Sequence, residues 1–223
     1  MSMDRRVRVA VLASGSGTNL QALIDWSRAA SSRIEIVRVL SDRPEAGALG
    51  RAEASGIEGI CLPGSSRDEQ DASLAKLLDE CEADLVVLAG YLRLVPAPIV
   101  REYAGRIVNI HPALLPAFGG AGMYGRHVHE AVLRRGVRVS GATVHFVSAD
   151  YDEGPIILQW PVPVLDDDTP ESLAARVLAV EHRLLPEAVE AVATGHVTLE
   201  PDGACRWMRP EAQPNTFILS RES

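Results

Sequence analysis

The sequence predicts an α/β domain in which a mostly parallel, twisted sheet is flanked by helices in a Rossmann-like arrangement. Two apolar runs, VRVAVLA at residues 7–13 and LVVLA at 85–89, are typical of strands buried on both faces of a parallel sheet. Strand-like and helical patterns alternate through the first half of the chain, which favours parallel strands joined by right-handed crossovers. With 223 residues, of which 47% are apolar, the chain is long enough to bury one core.

Hydrophobic periodicity and turn residues place the individual elements. Strands are predicted at residues 7–13, 34–40, 57–62, 85–89, 107–110, 139–147 and 156–164, helices at 20–30, 46–55, 68–81, 98–103, 127–135 and 170–193, and a small hairpin at 197–199 and 205–208. Pro161 and Pro163 assign the seventh strand to an edge of the sheet, because proline cannot donate to a neighbouring strand. Residues 112–125 are rich in glycine and proline and predict a long functional loop.

The chain is expected to form one domain, residues 1–223, in two halves. The first half, about residues 7–105, carries a glycine-rich loop, and the second, about 106–208, carries a cluster of polar residues. The last fifteen residues, 209–223, lack periodicity and are expected to fray.

Charge and composition exclude several classes of protein. The net charge of −8 argues against a broad nucleic-acid interface. No apolar run approaches the ~20 residues of a membrane span, and the short basic N-terminus leads directly into the first strand, unlike a signal peptide. The three cysteines are scattered, without CxxC or Cys/His ligand spacing, which predicts free thiols in the cytoplasm and no metal site.

The glycine-rich loop, ASGSGTNLQ at residues 13–21, joins the first strand to the first helix. Glycines let backbone N–H groups approach an anion, and the helix N-terminus adds its positive dipole end, so residues 15–19 could hold a phosphate. A tight turn without a ligand is the alternative. A dinucleotide site is a weaker match, because Leu20 stands where a third glycine would pack, although Asp42 lies about where a ribose-binding acid would follow the second strand.

The polar cluster begins with IVNIHPALLP at residues 107–116. Asn109 and His111 are two residues apart at the end of a predicted strand, so their side chains leave the same face, at the sheet edge where ligands bind. An amide that stabilises an oxyanion beside an imidazole that moves protons suits acyl transfer; two residues that cap a loop are the alternative. Asp150, Asp152 and Glu153 crowd a later Gly-Pro turn, and a carboxylate near His111 would raise the pKa of its imidazole.

Other polar residues are weaker candidates. His127 and His129 are two apart on a predicted helix and do not face each other, so a metal pair is not expected. His145 lies in a strand and either lines the site or packs in the core. Glu181 lies among apolar neighbours on the long helix, where a buried acid could bind a sugar hydroxyl, a solvated glutamate being the default.

The sequence resembles the phosphoribosylglycinamide formyltransferase family over about residues 7–208. The segments that carry the resemblance are ASGSGTNLQALID, DLVVLAGYLRLV, RIVNIHPALLP, GATVHFVSADYDEGPIILQ and EHRLLPEAV, whose order and spacing are together very specific. The resemblance implies the Rossmann-like formyltransferase fold. The chain departs from the common family pattern after Leu115-Pro116, where AFGGAGMYGRHVHEAV stands in place of a shorter loop with a histidine. This departure leaves the loop contacts open.

The resemblance implies roles for individual positions. Gly17, Thr18 and Asn19 would hold the phosphate of a ribonucleotide, and Glu181 would contact its ribose. The residues implied in folate binding are Arg67, Leu92, Arg93, Leu94, Val95 and Asn109. The implied catalytic residues are Asn109, His111 and Asp152, which selects Asp152 from among its acidic neighbours.

The activity that the resemblance implies is transfer of the formyl group of 10-formyltetrahydrofolate to the amine of glycinamide ribonucleotide, in purine biosynthesis. The formylfolate is a co-substrate, and no metal or tightly bound cofactor is expected. The implied partners are these small molecules, with no nucleic acid and no membrane, and the protein is expected to be a monomer or homodimer. The alternatives are a formyltetrahydrofolate deformylase or methionyl-tRNA formyltransferase, which normally carry an additional domain, and, from other classes, a dinucleotide-binding oxidoreductase or a non-catalytic nucleotide-binding module.

Overall fold

The computed structural model describes residues 5–208. Its centre is a seven-stranded sheet built from β1 (Val7–Leu12), β2 (Ile34–Ser41), β3 (Gly59–Cys61), β4 (Leu85–Leu88), β5 (Ile107–His111), β6 (Val139–Phe146) and β7 (Ile156–Pro163). The strand order is β3-β2-β1-β4-β5-β6-β7. The first five strands run parallel, and β6 and β7 pair antiparallel with their neighbours. The predicted mostly parallel sheet is therefore confirmed, whereas the predicted fraying of residues 209–223 lies outside the described part of the chain.

Within residues 5–208, six helices connect or cover the strands: α1 (Thr18–Ser27), α2 (Gly47–Ala54), α3 (Arg67–Glu80), α4 (Ala97–Glu102), α5 (Arg126–Arg135) and α6 (Pro170–Ala193). The expected hairpin forms from β8 (Val197–Leu199) and β9 (Cys205–Trp207), which pair antiparallel. Each boundary lies within three residues of its predicted position. The difference with consequences is at α1, which begins two residues before the predicted start and so brings Thr18 and Asn19 into its first turn.

Hydrogen bonds from side chains explain where two helices begin. At α3 the Ser66 hydroxyl accepts from the Glu69 backbone N–H, and the Glu69 carboxylate accepts from the Ser66 backbone N–H, which forms a capping box. At α6 the Thr169 hydroxyl accepts from the backbone of Ser172, and Pro170 stands at the first helical position. These contacts satisfy N–H groups that the helices themselves leave without partners.

The sheet separates two hydrophobic cores, because successive side chains of a strand point to opposite faces. Val9 and Val11 of β1 belong to the core that α1, α2, α5 and α6 cover. Ala10 and Leu12 belong to the core on the other face, which α3 and α4 cover. Both faces of the central strands are therefore buried, as their near-continuous apolar sequences predict.

β7 is an edge strand of the sheet, as Pro161 and Pro163 predict. None of the helices formed by residues 5–208 is long and apolar enough to cross a membrane.

The carboxyl ends of β1, β4 and β5 lie side by side near the centre of the sheet, where the strand order turns from β1 to β4. Such a switch point is where open α/β sheets bind ligands.

Candidate active site

A cavity of about 440 Å³ opens at the carboxyl ends of β4 and β5, within the size range of small-molecule sites. Its lining includes Asn19 from α1, Glu181 from α6, the segment Leu92–Val95 after β4, and Asn109 and His111 from β5. Asp152 also lines it, from the turn between β6 and β7. Residues that are far apart in sequence and that were predicted to bind two different substrates thus border one space.

The glycine-rich loop supplies the N-terminus of α1. Gly17 precedes the helix in the left-handed region, at φ +74°, and a Cβ there would stand 2.6 Å from the Cα of Ala48. This glycine is required by its conformation and by its packing against α2. Gly15 has open space around its Cα instead. The first N–H groups of α1, those of Thr18 and Asn19, have no acceptor within the helix and are free to bind an anion.

Asn19 and Glu181 join α1 to α6 inside the cavity. The Asn19 amide Nδ2 donates to Glu181 Oε2 at 2.6 Å, and both side chains are buried. Burial raises the pKa of the Glu181 carboxyl, and the hydrogen bond from Asn19 opposes that rise. Gly17 and Thr18 do not line this cavity; Thr18 lines a second cavity, also of about 440 Å³, with other residues of α1, α2 and α6.

Asn109 lies opposite His145 in the register of β5 and β6. The Nδ1 of His145 lies 2.7 Å from the Phe146 carbonyl, which can only accept, so this nitrogen carries the proton. In the neutral ring, Nε2 therefore accepts from Asn109 Nδ2, at 3.0 Å. The second amide hydrogen of Asn109 is directed to Asp152 Oδ1 at a longer distance, 3.4 Å.

His111 ends β5 and is almost fully buried. Its Nε2 lies 2.8 Å from the Phe118 carbonyl oxygen and carries the proton, since the carbonyl accepts. Its Nδ1 faces Asp152 Oδ2 at 3.4 Å. The imidazole is thus held between the loop that follows β5 and the acidic turn that follows β6.

Of the three acids in that turn, Asp152 is the one whose carboxylate contacts His111, while Asp150 and Glu153 are exposed. Asp152 Oδ2 also accepts from the backbone N–H of Gly120 at 2.9 Å, which connects the long loop at residues 112–125 to the site. Asp152 has φ +59°, a conformation that non-glycine residues seldom adopt. Such strain is found mostly at functional sites.

The expected rise in the pKa of His111 is corrected by the structure. Burial lowers this pKa and is the largest influence; the Asp152 carboxylate and the Phe118 carbonyl raise it, and the neighbouring imidazole of His145 lowers it again. The net direction is downward, because the imidazolium loses more by leaving water than it gains from the carboxylate. Burial also acts to raise the pKa of Asp152, but His145, His111 and the Gly120 N–H together outweigh it, and that pKa is lowered.

The segment Leu92–Val95, predicted to bind folate, lines the cavity. The guanidinium of Arg93 turns towards α3, where it bonds Gln70 and pairs with Asp71 at 2.9 Å. Arg67 lies on the exposed first turn of α3, outside the cavity lining, and approaches the same Asp71 at 3.7 Å. Leu92–Val95 therefore border the cavity, whereas Arg67 lies outside it and is linked to Arg93 through Asp71.

Two further histidines line the cavity: His145, which the sequence left as either a site residue or a core residue, and His129, which was not predicted there. His145 contacts Asn109, as described above. His129 of α5 is buried and lines the cavity, its Nδ1 has no hydrogen-bond partner, and its pKa is lowered by burial and by the charge of His111. The spacing of His129 from His127 argued against a metal pair, but it did not predict that α5 would direct His129 into the cavity. Within residues 5–208, no group of three or more His, Cys, Asp or Glu side chains is arranged to hold a metal ion.

A sequence model of the family described as formyl transferase matches residues 7–189. The chain belongs to the formyl transferase family. Phosphoribosylglycinamide formyltransferase of Escherichia coli (strain K12) is 36% identical over 211 residues, which are 93% of this chain and 96% of that relative. The solved structure of glycinamide ribonucleotide transformylase 1 from Symbiobacterium toebii shares 44% identity and superposes with a TM-score of 0.85, covering 93% of this chain and 96% of its own.

A longer relative matches over part of its length. The trifunctional purine biosynthetic protein adenosine-3 of Bos taurus is 44% identical over 207 residues, which are 92% of this chain and 20% of that relative. The chain therefore spans about one fifth of that protein. The predicted family, fold and enzyme class are confirmed, and the names of the relatives support formyl transfer to the ribonucleotide over the alternative activities.

Proposed function

We propose that this chain transfers the formyl group of 10-formyltetrahydrofolate to the amine of glycinamide ribonucleotide. The observation that carries the proposal is the single cavity that Asn19 and Glu181, the Asn109–His111 pair and the segment Leu92–Val95 all line. Direct transfer between two substrates requires both of them to meet in one space. The full-length Escherichia coli relative named for this activity supports the same assignment.

The ribonucleotide occupies the side formed by α1 and α6. Its phosphate is bound by the N–H groups of Gly17, Thr18 and Asn19, where the α1 dipole favours an anion. Glu181 accepts a hydrogen bond from a ribose hydroxyl. Its place in the cavity lining and its contact with Asn19 Nδ2 support this role, since they put the carboxyl beside the start of α1, where the phosphate is proposed to bind.

The folate occupies the side formed after β4. Its polar ring bonds the backbone of Leu92–Val95, and Asn109 contacts the formyl group. Arg67 is proposed to interact with the distal part of the folate, at the exposed start of α3. The pairing of both Arg67 and Arg93 with Asp71 supports a link between that helix and the segment Leu92–Val95.

The reaction begins when the amine nitrogen attacks the formyl carbon and a C–N bond forms. The carbonyl oxygen becomes an oxyanion, which Asn109 Nδ2 stabilises with one of its two hydrogens. The hydrogen directed to Asp152 at 3.4 Å is the one available, because the other is held by His145 at 3.0 Å. Donors already in place for the developing charge cost no reorganisation during the reaction.

His111 transfers the proton. Its lowered pKa favours the neutral ring at neutral pH, so it can accept the proton that the attacking amine releases. The imidazolium that results is stabilised by Asp152, 3.4 Å from Nδ1. The proton then passes to the folate nitrogen as the bond from that nitrogen to the formyl carbon breaks, which releases tetrahydrofolate and the formylated ribonucleotide.

Several properties of the whole protein belong to the same proposal. The formylfolate serves as a co-substrate with no tightly bound cofactor, and the protein acts in the cytoplasm as a monomer or homodimer without nucleic acid or membrane partners. One domain holds both the phosphate-binding half, residues 7–105, and the catalytic and folate half, 106–208. The continuous sheet, to which both halves contribute strands, supports this domain assignment.

An absorbance assay of folate product formation, run with and without glycinamide ribonucleotide, tests the proposal. We expect turnover when both substrates are present and none when the ribonucleotide is omitted. Folate product formed at the same rate without the ribonucleotide would identify a deformylase instead. The absence of turnover in both reactions would reject the proposed substrates.

A further inference from the structure

Ser14 lies at the point where β1 ends and the glycine-rich loop begins, and it is almost fully buried. Its hydroxyl Oγ lies 2.5 Å from Asp42 Oδ1 and 3.0 Å from the backbone nitrogen of Leu92. Its own backbone N–H donates to the Gly90 carbonyl at 3.0 Å. One residue thus contacts the segment after β4 at two points and the residue after β2 at a third.

The directions of these bonds are determined by the groups involved. The Asp42 carboxylate accepts, so the single hydroxyl hydrogen of Ser14 is donated to it. The Leu92 N–H can only donate, so it uses a lone pair of the same hydroxyl. Asp42 therefore orients Ser14, and Ser14 in turn fixes Leu92. The bond to an ionised acceptor is the stronger type, which makes Asp42 the anchor of the chain of bonds.

The strand order explains why these three residues meet. β2, β1 and β4 are neighbours in the sheet, and their carboxyl ends carry Asp42, Ser14 and Gly90–Leu92 in that spatial order. The cavity is lined by Gly90 and Leu92 but not by Ser14 or Asp42. The two side chains therefore do not touch a ligand in the cavity; what they reach is the backbone that borders it.

This contact also gives Asp42 a function other than the one expected of it in a dinucleotide site. A ribose-binding acid presents its carboxylate to the ligand. Here one oxygen is bonded to Ser14, the other lies 4.0 Å from Arg43 Nε, and the side chain is only 9% exposed.

We propose that Ser14 and Asp42 are positioning residues that hold the Leu92 backbone in the conformation that binds the folate. The inference rests on the proposed function, in which Leu92–Val95 bind the formylfolate. Ser14 also lies directly before the residues proposed to bind the ribonucleotide phosphate, so it is placed between the binding segments of the two substrates. Its hydroxyl acts on the folate side alone, since its partners are Asp42 and Leu92.

Substitutions of the two residues, measured with tetrahydrofolate as the binding probe, test the proposal. Ser14→Ala and Asp42→Ala each break the chain of bonds, and we expect the Kd for tetrahydrofolate and the KM for the formylfolate to rise about tenfold, the size of one lost buried hydrogen bond. The turnover number at saturation and the KM for the ribonucleotide are expected to change by less than about threefold. Asp42→Asn keeps an acceptor oxygen for the Ser14 hydroxyl and is expected to restore most of the affinity.

Glu45→Ala, on the exposed loop after β2, is the matched control and should leave both constants unchanged. Equal rises in the KM of both substrates, a loss confined to the turnover number, or wild-type folate binding by Asp42→Ala would each overturn the positioning role. If the wild-type protein itself neither binds tetrahydrofolate nor transfers a formyl group, the proposed function fails as well, and the two failures are thereby distinguished.

Hydrogen exchange of the Leu92 amide in the unmodified protein gives a test that does not depend on the folding of any variant. An N–H bonded to a buried hydroxyl opens rarely, so slow exchange is expected. Exchange as fast as that of the amide of Gly64, on an exposed loop, would overturn the proposal.

Discussion

At the scale of single residues, the amide of Asn109 is the group on which the proposed chemistry depends most. It has two hydrogens, and the resting site already offers them two acceptors at 3.0 and 3.4 Å. His145 keeps the side chain oriented, while the longer bond to Asp152 is the one that an oxyanion replaces. The other carboxylate oxygen of Asp152, Oδ2, faces His111 Nδ1 at 3.4 Å and does not depend on that bond.

Removing the donor or the base is expected to leave binding largely intact and to slow turnover. We expect Asn109→Ala to lower kcat by about 10²–10³ and His111→Ala by about 10²–10⁴. The exposed His127→Ala is the matched control and should retain wild-type kcat. Steady-state kinetics of the purified variants measure this effect, and near-normal turnover in both active-site variants would contradict the proposed roles.

The pH dependence of the rate follows from the competing influences on His111. Burial lowers its pKa from 6.5, and Asp152 acts in the opposite direction. In Asp152→Asn the raising influence is lost, so the pKa of His111 falls further. Because the neutral ring is the base, activity is lost as the pH falls through this pKa, and the acidic limb of the kcat/KM profile should move to lower pH.

The same variant should also turn over more slowly, by about tenfold or more, each factor of ten corresponding to 1.36 kcal/mol of lost transition-state stabilisation. Rates measured from pH 4.5 to 8 for wild type and Asp152→Asn test both the slower turnover and the shift of the acidic limb. An acidic limb that stays in place would show that Asp152 does not act on His111.

Glu181 connects function to stability. Burial raises its pKa above 4.5, so the folded state binds the proton more tightly than the unfolded chain. Stability is therefore lost as the pH rises from the unfolded pKa through the folded one. Glu181→Gln removes this loss, so its Tm should exceed that of wild type at pH 7 and by a smaller margin at pH 4.5.

The proposed contact with the ribose gives Glu181→Gln a second consequence, an increased KM for the ribonucleotide. Thermal unfolding at the two pH values and steady-state kinetics measure both effects. A Tm difference that is equal at both pH values would contradict the raised pKa, and an unchanged KM would argue against contact with the ribose.

At the scale of helices and strands, periodicity and turn chemistry were sufficient to place the elements. Thr169-Pro170 marks the start of α6 because a hydroxyl cap and a first-position proline are local signals. The order of the strands in the sheet cannot be predicted from local signals. The contacts of Asp42 with Ser14 and of Asn109 with His145 depend on that order and so could not be predicted either. A one-residue change of register would turn His145 to the other face of the sheet, away from Asn109, and the sequence of β6 alone does not determine the register.

Two details of the site depend on packing that no short motif encodes. The choice of Asp152 over Asp150 and Glu153 came from family resemblance, and its physical basis is a left-handed backbone at Asp152 that directs the carboxylate inward. The pKa of His111 was expected to rise because a carboxylate was expected nearby. That carboxylate is present, but the depth of burial that outweighs it is a property of the assembled cavity.

The glycine-rich loop leads to a prediction about α1 as an element. Gly17→Ala places a Cβ 2.6 Å from the Ala48 backbone in a left-handed conformation, and we expect a loss of about 1–3 kcal/mol in the free energy of unfolding. Gly15→Ala meets open space and should cost less than about 1 kcal/mol. Urea unfolding of the two variants measures the difference, and equal losses would contradict the stated packing of α1 against α2.

At the scale of the whole molecule, the sheet places the two proposed binding segments beside the proposed catalytic pair. Parallel strands β1, β4 and β5 end at the same edge, so the start of α1, the segment Leu92–Val95 and the Asn109–His111 pair are neighbours. The antiparallel β6 and β7 then carry Asp152 back to this edge on the turn that joins them. The arrangement supports direct transfer between substrates bound side by side.

The measurement that tests this account most directly follows the formyl carbon itself. The protein is mixed with glycinamide ribonucleotide and 10-formyltetrahydrofolate labelled with ¹³C in the formyl group, and the products are read by mass spectrometry. The account predicts that the label appears on the ribonucleotide in an amount equal to the tetrahydrofolate formed. Label recovered as free formate, with the ribonucleotide unchanged, would contradict it.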